Sequence, residues 1–107
     1  MTNTCGTTFT DNDTIFWIKI LETGWIKDVY LLLSTNIEDS IEKRNFGNIR
    51  LEKASHFSRE NIGENTYSEF ICITSFSNPT DYMEYCFFYS IDGKDFLTKP
   101  QHFIVKN

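Results

Sequence analysis

Acidic side chains in three groups along the chain are the residues best suited to chemistry. They are Glu38, Asp39 and Glu42; Glu60 and Glu64; and Asp81, Glu84, Asp92 and Asp95. The ordinary interpretation of such carboxylates is a hydrated surface that keeps the protein soluble. The functional interpretation is a docking face for a basic protein, because negative charge steers a positive partner into contact. The residues around Asp92 and Asp95 are too few for a calcium-binding loop.

Histidine and cysteine add little further reactivity. His56 and His102 are the only histidines, so a metal site or a general base would have to use one of them. Nothing cationic lies near Cys72 or Cys86 in the sequence to lower a thiol pKa, so we expect buried, un-ionised thiols. A hairpin between their two strands is expected to bring these two cysteines almost opposite one another. Cys5 is expected to be inert as well.

The compact motifs of enzymes and cofactor sites are missing from the sequence. The chain contains no glycine-rich phosphate loop, no Cys-x-x-Cys pair, no His-Glu-x-x-His and no Gly-x-Ser-x-Gly. We therefore predict a protein with no cofactor, no metal and no enzymatic activity.

Size, charge and cysteine usage narrow the class of protein. At 107 residues the chain matches one domain, and we take residues 1–107 as a single unit. The net charge of -5 disfavours nucleic acid and anionic membranes and favours basic partners. The N-terminal residues lack the cationic start and apolar run of a secretory signal, and no segment has the roughly 20 apolar residues of a membrane span. Because the cysteine number is also odd, the sequence predicts a cytoplasmic protein.

Two apolar runs near the start of the chain give the clearest strand signal. Residues 14–21 and 25–34 are rich in β-branched and aromatic side chains, which favour strands. Gly24 lies between them, and we expect it to take the positive φ of a tight hairpin. The polar stretch that follows could form one short helix over 36–46 or remain a loop.

Five further segments carry strand patterns. They are residues 48–53, 67–76, 82–91, 94–98 and 102–105. Pro79 and its neighbours supply turn chemistry, and Asp92-Gly93 is a strong signal for a two-residue hairpin. Polar residues dominate 1–13, which we expect to be a loose arm or a short edge strand, and 54–66, which we expect to be a mobile loop.

These segments together predict an all-β fold. We expect an antiparallel β-sandwich or barrel of six to seven strands with at most one short helix, and an α+β arrangement is the alternative. Most aromatic side chains are expected in the core, because alternating strand positions must fill a layer about 10 Å thick. Tyrosine and tryptophan are also the residues that anchor interfaces.

One short segment resembles a known hairpin. Tyr89-Ser-Ile-Asp-Gly-Lys-Asp-Phe96 is similar to the Tyr-Ser-x-Asp-Gly-x-x-Phe/Trp hairpin of lectin-like carbohydrate-binding sandwiches. It covers eight residues and mainly encodes a turn, so the resemblance bears on the fold far more than on sugar binding.

The whole profile of the chain resembles that of small bacterial toxin-immunity proteins of the contact-dependent inhibition type. Such proteins are small, acidic, aromatic-rich, reduced and free of motifs. The resemblance implies a cytoplasmic inhibitor that binds and blocks a basic protein partner, a toxin nuclease, with no nucleic acid or membrane as partner. Charge and expected loop or strand-end placement select the candidate partner-binding residues, which are Glu38, Asp39, Glu42, Tyr82, Asp92 and Asp95.

Two other hypotheses come from different functional classes. The alternative function is a carbohydrate-binding β-sandwich module that uses Trp17, Trp25 or the 89–96 hairpin. It fits less well with a chain that shows no export signal, since most glycans lie outside the cytosol. The third hypothesis is a small enzyme using His56 or His102, for which no partner residues lie nearby in the sequence.

Overall fold

Strands account for nearly all of the described chain. A computed structural model describes residues 4–10, 13–34, 50–74 and 83–103. The strands in these ranges are β1 (Thr4–Phe9), β2 (Thr14–Leu21), β3 (Ile26–Ser34), β4 (Arg50–Lys53), β5 (Ser55–Ile62), β6 (Asn65–Thr74), β7 (Met83–Ile91), β8 (Lys94–Leu97) and β9 (Gln101–Phe103).

The strands form two antiparallel sheets. The first sheet has the order β1-β2-β6-β5, and the second has the order β4-β3-β7-β8, with β9 also paired to β7. The predicted all-β antiparallel sandwich is confirmed. The described residues contain nine strands instead of six or seven. The two additional strands are β1, which matches the short edge strand offered as one alternative for residues 1–13, and β5. Both are polar edge strands, which carry little of the alternating apolar pattern that reveals a strand in sequence.

The core lies between the two sheets. Along β2 the inner positions Phe16, Ile18 and Ile20 are fully buried, whereas the residues between them are half-buried. The second sheet contributes inward-pointing side chains such as Leu31 and Phe87, which are also fully buried and are cross-strand partners. Alternation of this kind follows from the two-residue period of a strand. Strand β2 is also an interior strand of its sheet, because it lies between β1 and β6.

The predicted hairpin between the first two apolar runs is wrong. Strands β2 and β3 belong to opposite sheets, since β2 pairs with β1 and β6 while β3 pairs with β4 and β7. Gly24 lies in the connection without a positive φ. Its lack of a side chain matters for another reason, because a Cβ at this position would overlap the Asp92 carboxylate.

The hairpin signal at Asp92-Gly93 is confirmed. The two residues have positive φ values of 51° and 81°, as a two-residue turn of this type requires. The turn brings Ile91 opposite Lys94, so β7 runs directly into β8.

The mobile loop predicted at 54–66 is wrong. The segment forms β5 and the start of β6, joined by a turn in which Gly63 has a φ of 63°. All eight residues of β5 are exposed, so the strand is held mainly by backbone pairing with β6. A side-chain pattern cannot reveal such a strand, because neither of its faces is buried.

The two buried cysteines do not face one another, contrary to expectation. Cys72 lies on β6 opposite Phe16, and Cys86 lies on β7 opposite Leu32, in the other sheet. Burial raises the pKa of the Cys72 thiol to about 11 and that of Cys86 to about 12, with smaller contributions from the charges of nearby glutamates. Both thiols are therefore un-ionised at neutral pH.

Two predicted elements, the helix at 36–46 and the turn around Pro79, lie outside the described residues. In the part of the chain that is described, no helix has the length and apolar character needed to cross a membrane.

Candidate functional site

The six residues predicted to bind a protein partner are only partly described. Four of them, Glu38, Asp39, Glu42 and Tyr82, lie outside the described residues. The other two lie in the β7–β8 hairpin and use their carboxylates within the domain. Asp92 Oδ1 accepts a hydrogen bond from the backbone N–H of Trp25 at 2.9 Å, and Asp95 Oδ1 accepts one from Ser90 Oγ at 2.6 Å.

An open cleft of about 430 Å³ lies beside the connection between β2 and β3. Its lining residues come from that connection, from β3, from the edge strand β5 and from β6: Glu22, Gly24, Trp25, Ile26, His56, Arg59, Ser68 and Phe70. Cross-strand pairing joins His56 to Phe70 and Arg59 to Ser68, so these four side chains share the inner face of the first sheet. The cleft is therefore an extension of the core surface toward the solvent-exposed edge of the sandwich.

The most exposed aromatic side chain in this cleft is Trp25, which is 74% exposed. Its backbone is held from both sides, because Asp92 accepts from the Trp25 N–H and donates its own N–H to the Trp25 carbonyl at 3.0 Å. The ammonium of Lys27 lies 5.6 Å from the centre of the indole ring, a distance that allows a cation–π contact. The hairpin turn of the second sheet thus fixes the backbone of Trp25.

A network of polar side chains also lines the cleft. Glu22 Oε2 accepts a hydrogen bond from Arg59 Nε at 2.7 Å and another from Ser68 Oγ at 3.2 Å. The hydrogen bond from Arg59 lowers the pKa of Glu22 below its ordinary value of 4.5, even though partial burial opposes that change. Glu22 is therefore ionised at neutral pH. Because the Arg59 side chain is 65% exposed, its Nη atoms can donate to a bound molecule.

His56 and Phe70 complete the lining. Their rings meet edge to face, with centroids 5.2 Å apart and planes at 72°. Phe70 also packs against the core, so it connects the cleft wall to the rigid interior. The imidazole of His56 lies on the exposed strand β5, where its nitrogen atoms can exchange hydrogen bonds with solvent or with a ligand.

Metal chemistry finds no support in the described ranges. They contain no group of three or more histidine, cysteine, aspartate or glutamate side chains that could hold a metal ion.

A larger hollow of about 480 Å³ lies between β4 and β6, but its lining residues include no aromatic side chain: Glu52, Lys53, Ser55, Ile71, Cys72 and Ile73. The Trp25 cleft therefore offers the better combination of apolar and polar groups for a ligand.

Sequence reasoning missed most of this cleft. Trp25 was a candidate for carbohydrate binding and His56 for catalysis, but Glu22 and Arg59 were not selected. Arg59 could not be placed beside His56 from the sequence because β5 contains a β-bulge between His56 and Ser58. In a regular strand, residues three apart point to opposite faces, whereas the extra residue in the bulge lets His56 and Arg59 point to the same face.

Comparison with known proteins gives similarity in structure alone. Neither a protein-family model nor a curated protein matches the chain. The solved structures that are similar include two carbohydrate-binding modules. A Br derivative of BhCBM56 has a TM-score of 0.62 at 18% identity, over 96% of this chain and 91% of that one. The β-1,3-glucan binding domain of carbohydrate-binding module family 56 has a TM-score of 0.58 at 17% identity, over 96% and 99%.

The chain shares the fold of these carbohydrate-binding modules. The prediction of an immunity protein that blocks a basic toxin nuclease is wrong, because the solved structures that share this fold are carbohydrate-binding modules, one of them a β-1,3-glucan binding domain. That prediction rested on charge and size, which describe the chain as a whole. Such properties do not distinguish two small acidic proteins with different ligands.

Proposed function

We propose that this domain binds a neutral polysaccharide and that the Trp25 cleft is the binding site. The observation that carries the proposal is that one open cleft is lined by the exposed Trp25, whose backbone is held by Asp92, and by the Glu22–Arg59 pair. The proposal is the carbohydrate-binding alternative of the sequence analysis, with its site narrowed to one of the tryptophans considered there.

The chemistry of a sugar ring suits this arrangement. A pyranose has faces of C–H groups that pack against an aromatic ring, and a rim of hydroxyls that both donate and accept hydrogen bonds. Trp25 supplies the aromatic surface. Arg59 supplies N–H donors, and Glu22, whose described hydrogen bonds both use Oε2, can accept through Oε1.

The charges of the cleft favour a neutral ligand. The guanidinium of Arg59 is already paired with the carboxylate of Glu22 at 2.7 Å. An acidic glycan would have to compete with that carboxylate for the same cation. Hydroxyl groups can bind to both members of the pair without separating them.

The fold suggests which glycan to test first. One of the similar structures is a β-1,3-glucan binding domain. At 17% identity the similarity extends to the fold and does not transfer individual residues. A β-1,3-glucan is therefore the first ligand class in our proposal, and the cleft residues are assigned from their own geometry.

In our proposal this cleft binds the polysaccharide and does not hydrolyse its glycosidic bonds. Glycoside hydrolysis ordinarily requires two carboxyl groups about 5 to 9.5 Å apart. Among the described lining residues, Glu22 supplies the single carboxylate, and this carboxylate accepts a hydrogen bond from Arg59. A carboxylate with a lowered pKa is also a poor proton donor at neutral pH.

Calorimetric titration of the full chain with a soluble β-1,3-glucan tests the proposal. Soluble β-1,4-glucan and α-1,4-glucan serve as comparison ligands. Trp25→Ala should weaken binding at this cleft by roughly 30-fold or more, because a central aromatic anchor contributes about 2 kcal/mol. Leu51→Ala is the matched control, since Leu51 is also an exposed apolar residue but does not line the cleft.

The measurement can fail in two separate ways. If the unmodified chain binds none of the three glucans, the assignment to neutral glucans is wrong. If it binds, and Trp25→Ala binds as tightly as Leu51→Ala, the function stands but the site is elsewhere.

A further inference from the structure

The outer face of the first sheet carries a second aromatic surface, on the side opposite the Trp25 cleft. A groove of about 280 Å³ crosses strands β1, β2, β6 and β5 there. Its lining residues are Thr8, Ile15, Trp17, Lys19, Phe57, Glu69 and Ile71. We call this set the outer groove.

Strand geometry requires that the outer groove and the core be separate. Trp17 lies between Phe16 and Ile18, which are fully buried in the core, so its side chain points to the opposite face. It pairs with Gly6 on one side and with Ile71 on the other. The indole is therefore presented on the outer surface of a central strand that the core holds in place.

The indole of Trp17 lies close to the backbone of β1. A Cβ on Gly6 would come within 2.7 Å of its Cζ2 atom, which is closer than two carbon atoms can approach. The glycine thus leaves room for the ring to extend over its neighbouring strand. The ammonium of Lys19 is 5.9 Å from the centre of the ring.

The bulge in β5 orients a second aromatic side chain toward the outer groove. Phe57 is the extra residue between His56 and Ser58, and it is 63% exposed. The same bulge directs His56 and Arg59 toward the Trp25 cleft. Strands β5 and β6 therefore separate two aromatic surfaces that lie back to back.

The outer groove is neutral in charge. Its lining contains one cation and one anion, Lys19 and Glu69, which are direct cross-strand partners. A compensated pair of this kind has no net attraction for phosphates or for an acidic glycan. The hydroxyl of Thr8 adds a polar group that can both donate and accept hydrogen bonds. Apolar rings with a few polar groups and no net charge match an uncharged sugar chain.

We propose that the outer groove is a second contact surface for the neutral polysaccharide, an inference that rests on the proposed function of the Trp25 cleft. One domain then contacts two sugar chains, or two segments of one chain, on opposite sides of β5 and β6. Two weak sites on one rigid body bind a densely packed polysaccharide more tightly than either site alone. The expected preference is for insoluble, multi-chain glucan over short soluble fragments.

The stoichiometry of binding to a short soluble β-1,3-glucan oligosaccharide tests the second surface. The unmodified chain should bind two molecules at saturation, and Trp25→Ala and Phe57→Ala should each bind one. A chain carrying both substitutions should bind none. Gly6→Ala gives an independent test, because the added methyl group must displace the Trp17 ring and weaken the outer groove without removing an aromatic residue.

Retention on insoluble β-1,3-glucan particles provides the second readout. Phe57→Ala and Gly6→Ala should each lower the apparent affinity for the particles by about tenfold or more, because the gain from two-site attachment is lost. Ile73→Ala is the control, since Ile73 is exposed on the same outer face but does not line the outer groove.

Each alternative result has a distinct meaning. One oligosaccharide per unmodified chain, with Phe57→Ala and Gly6→Ala indistinguishable from Ile73→Ala, overturns the second surface and leaves the proposed function intact. Absence of any glucan binding overturns the proposed function itself. A dimer in sedimentation experiments that Phe57→Ala dissociates assigns the outer groove to a second copy of the chain and overturns the polysaccharide inference.

Discussion

Strands β2 and β5 lie on either side of β6 and have opposite roles. Both pair with β6 in antiparallel register over most of their length. Strand β2 alternates buried and half-buried residues, whereas every residue of β5 is exposed. The same backbone pairing therefore supports a strand that builds the core and a strand that presents polar and aromatic groups to the solvent.

This difference suggests that stability and recognition are located in separate strands. Substitutions on the inner face of β2 should change the free energy of unfolding and leave ligand affinity alone. Substitutions on β5 should do the reverse. Residues in the connection between β2 and β3, which lines the Trp25 cleft, should affect both.

The largest expected effect is on the β2 side. Phe16→Ala removes a fully buried ring that meets Tyr85 edge to face at 5.1 Å. It should lower the free energy of unfolding by about 3 to 5 kcal/mol, measured by chemical denaturation. Ile73→Ala, at an exposed position, should change it by about 0.5 kcal/mol or less. A loss below about 1 kcal/mol for Phe16→Ala would contradict the role of β2 as the core strand.

Gly24→Ala should affect stability and recognition together. The new Cβ would overlap the Asp92 carboxylate, which holds the backbone of Trp25. Overpacking of this kind costs about 1 to 3 kcal/mol, and displacement of Trp25 should weaken glucan binding in the same variant. Thr23→Ala is the control, because Thr23 is exposed in the same connection. If Gly24→Ala matches this control in both melting temperature and affinity, the close approach to Asp92 has no energetic consequence.

Arg59→Ala should affect recognition alone. The Arg59 side of the ion pair with Glu22 is 65% exposed, so the loss of the pair should change the free energy of unfolding by about 1 kcal/mol or less. Glucan affinity should fall by roughly tenfold, because a donor in the cleft is lost. Glu60→Ala is the matched control, since Glu60 is adjacent on β5 but pairs with Tyr67 on the outer face. A stability loss comparable to that of Phe16→Ala would remove the distinction between the two strands.

The smallest effect expected is a dependence on pH that is confined to acid. Arg59 lowers the pKa of Glu22 below 4.5, so in the folded chain the carboxylate is already mostly charged at pH 4.5 and remains charged above it. Its contribution to the cleft is therefore present above about pH 4.5 and is lost as the pH falls through the lowered pKa. Glucan affinity should therefore decrease below about pH 4.5, and Glu22→Gln should remove this decrease. A decline that begins near neutral pH would point to another group.

Residue type and local pattern were enough to predict the strands that bury side chains. The β-branched and aromatic runs of β2, β3, β6 and β7 each correspond to a strand in the structure. The Asp92-Gly93 turn was also predictable, because few residue pairs adopt two consecutive positive φ values. In these elements the local preference of the residues and the global fold agree.

Long-range pairing was not predictable from the same patterns. The connection at 22–25 is short enough for a hairpin, but it joins strands of opposite sheets. Its length does not distinguish these two outcomes. Strand β5 was missed because neither face is buried, and the bulge at Phe57 then placed His56 and Arg59 together against the two-residue period. The candidate site depends on strand β5 and on its bulge. Of the cleft residues, the sequence therefore indicated a functional role only for Trp25 and His56.

The full exposure of strand β5 has a practical consequence for protein engineering. Its attachment to β6 is through the backbone, so the side chains at positions 56, 57 and 59 can be varied while the core remains unchanged. A small combinatorial library at these three positions would sample new ligand preferences on a scaffold whose folding is set elsewhere.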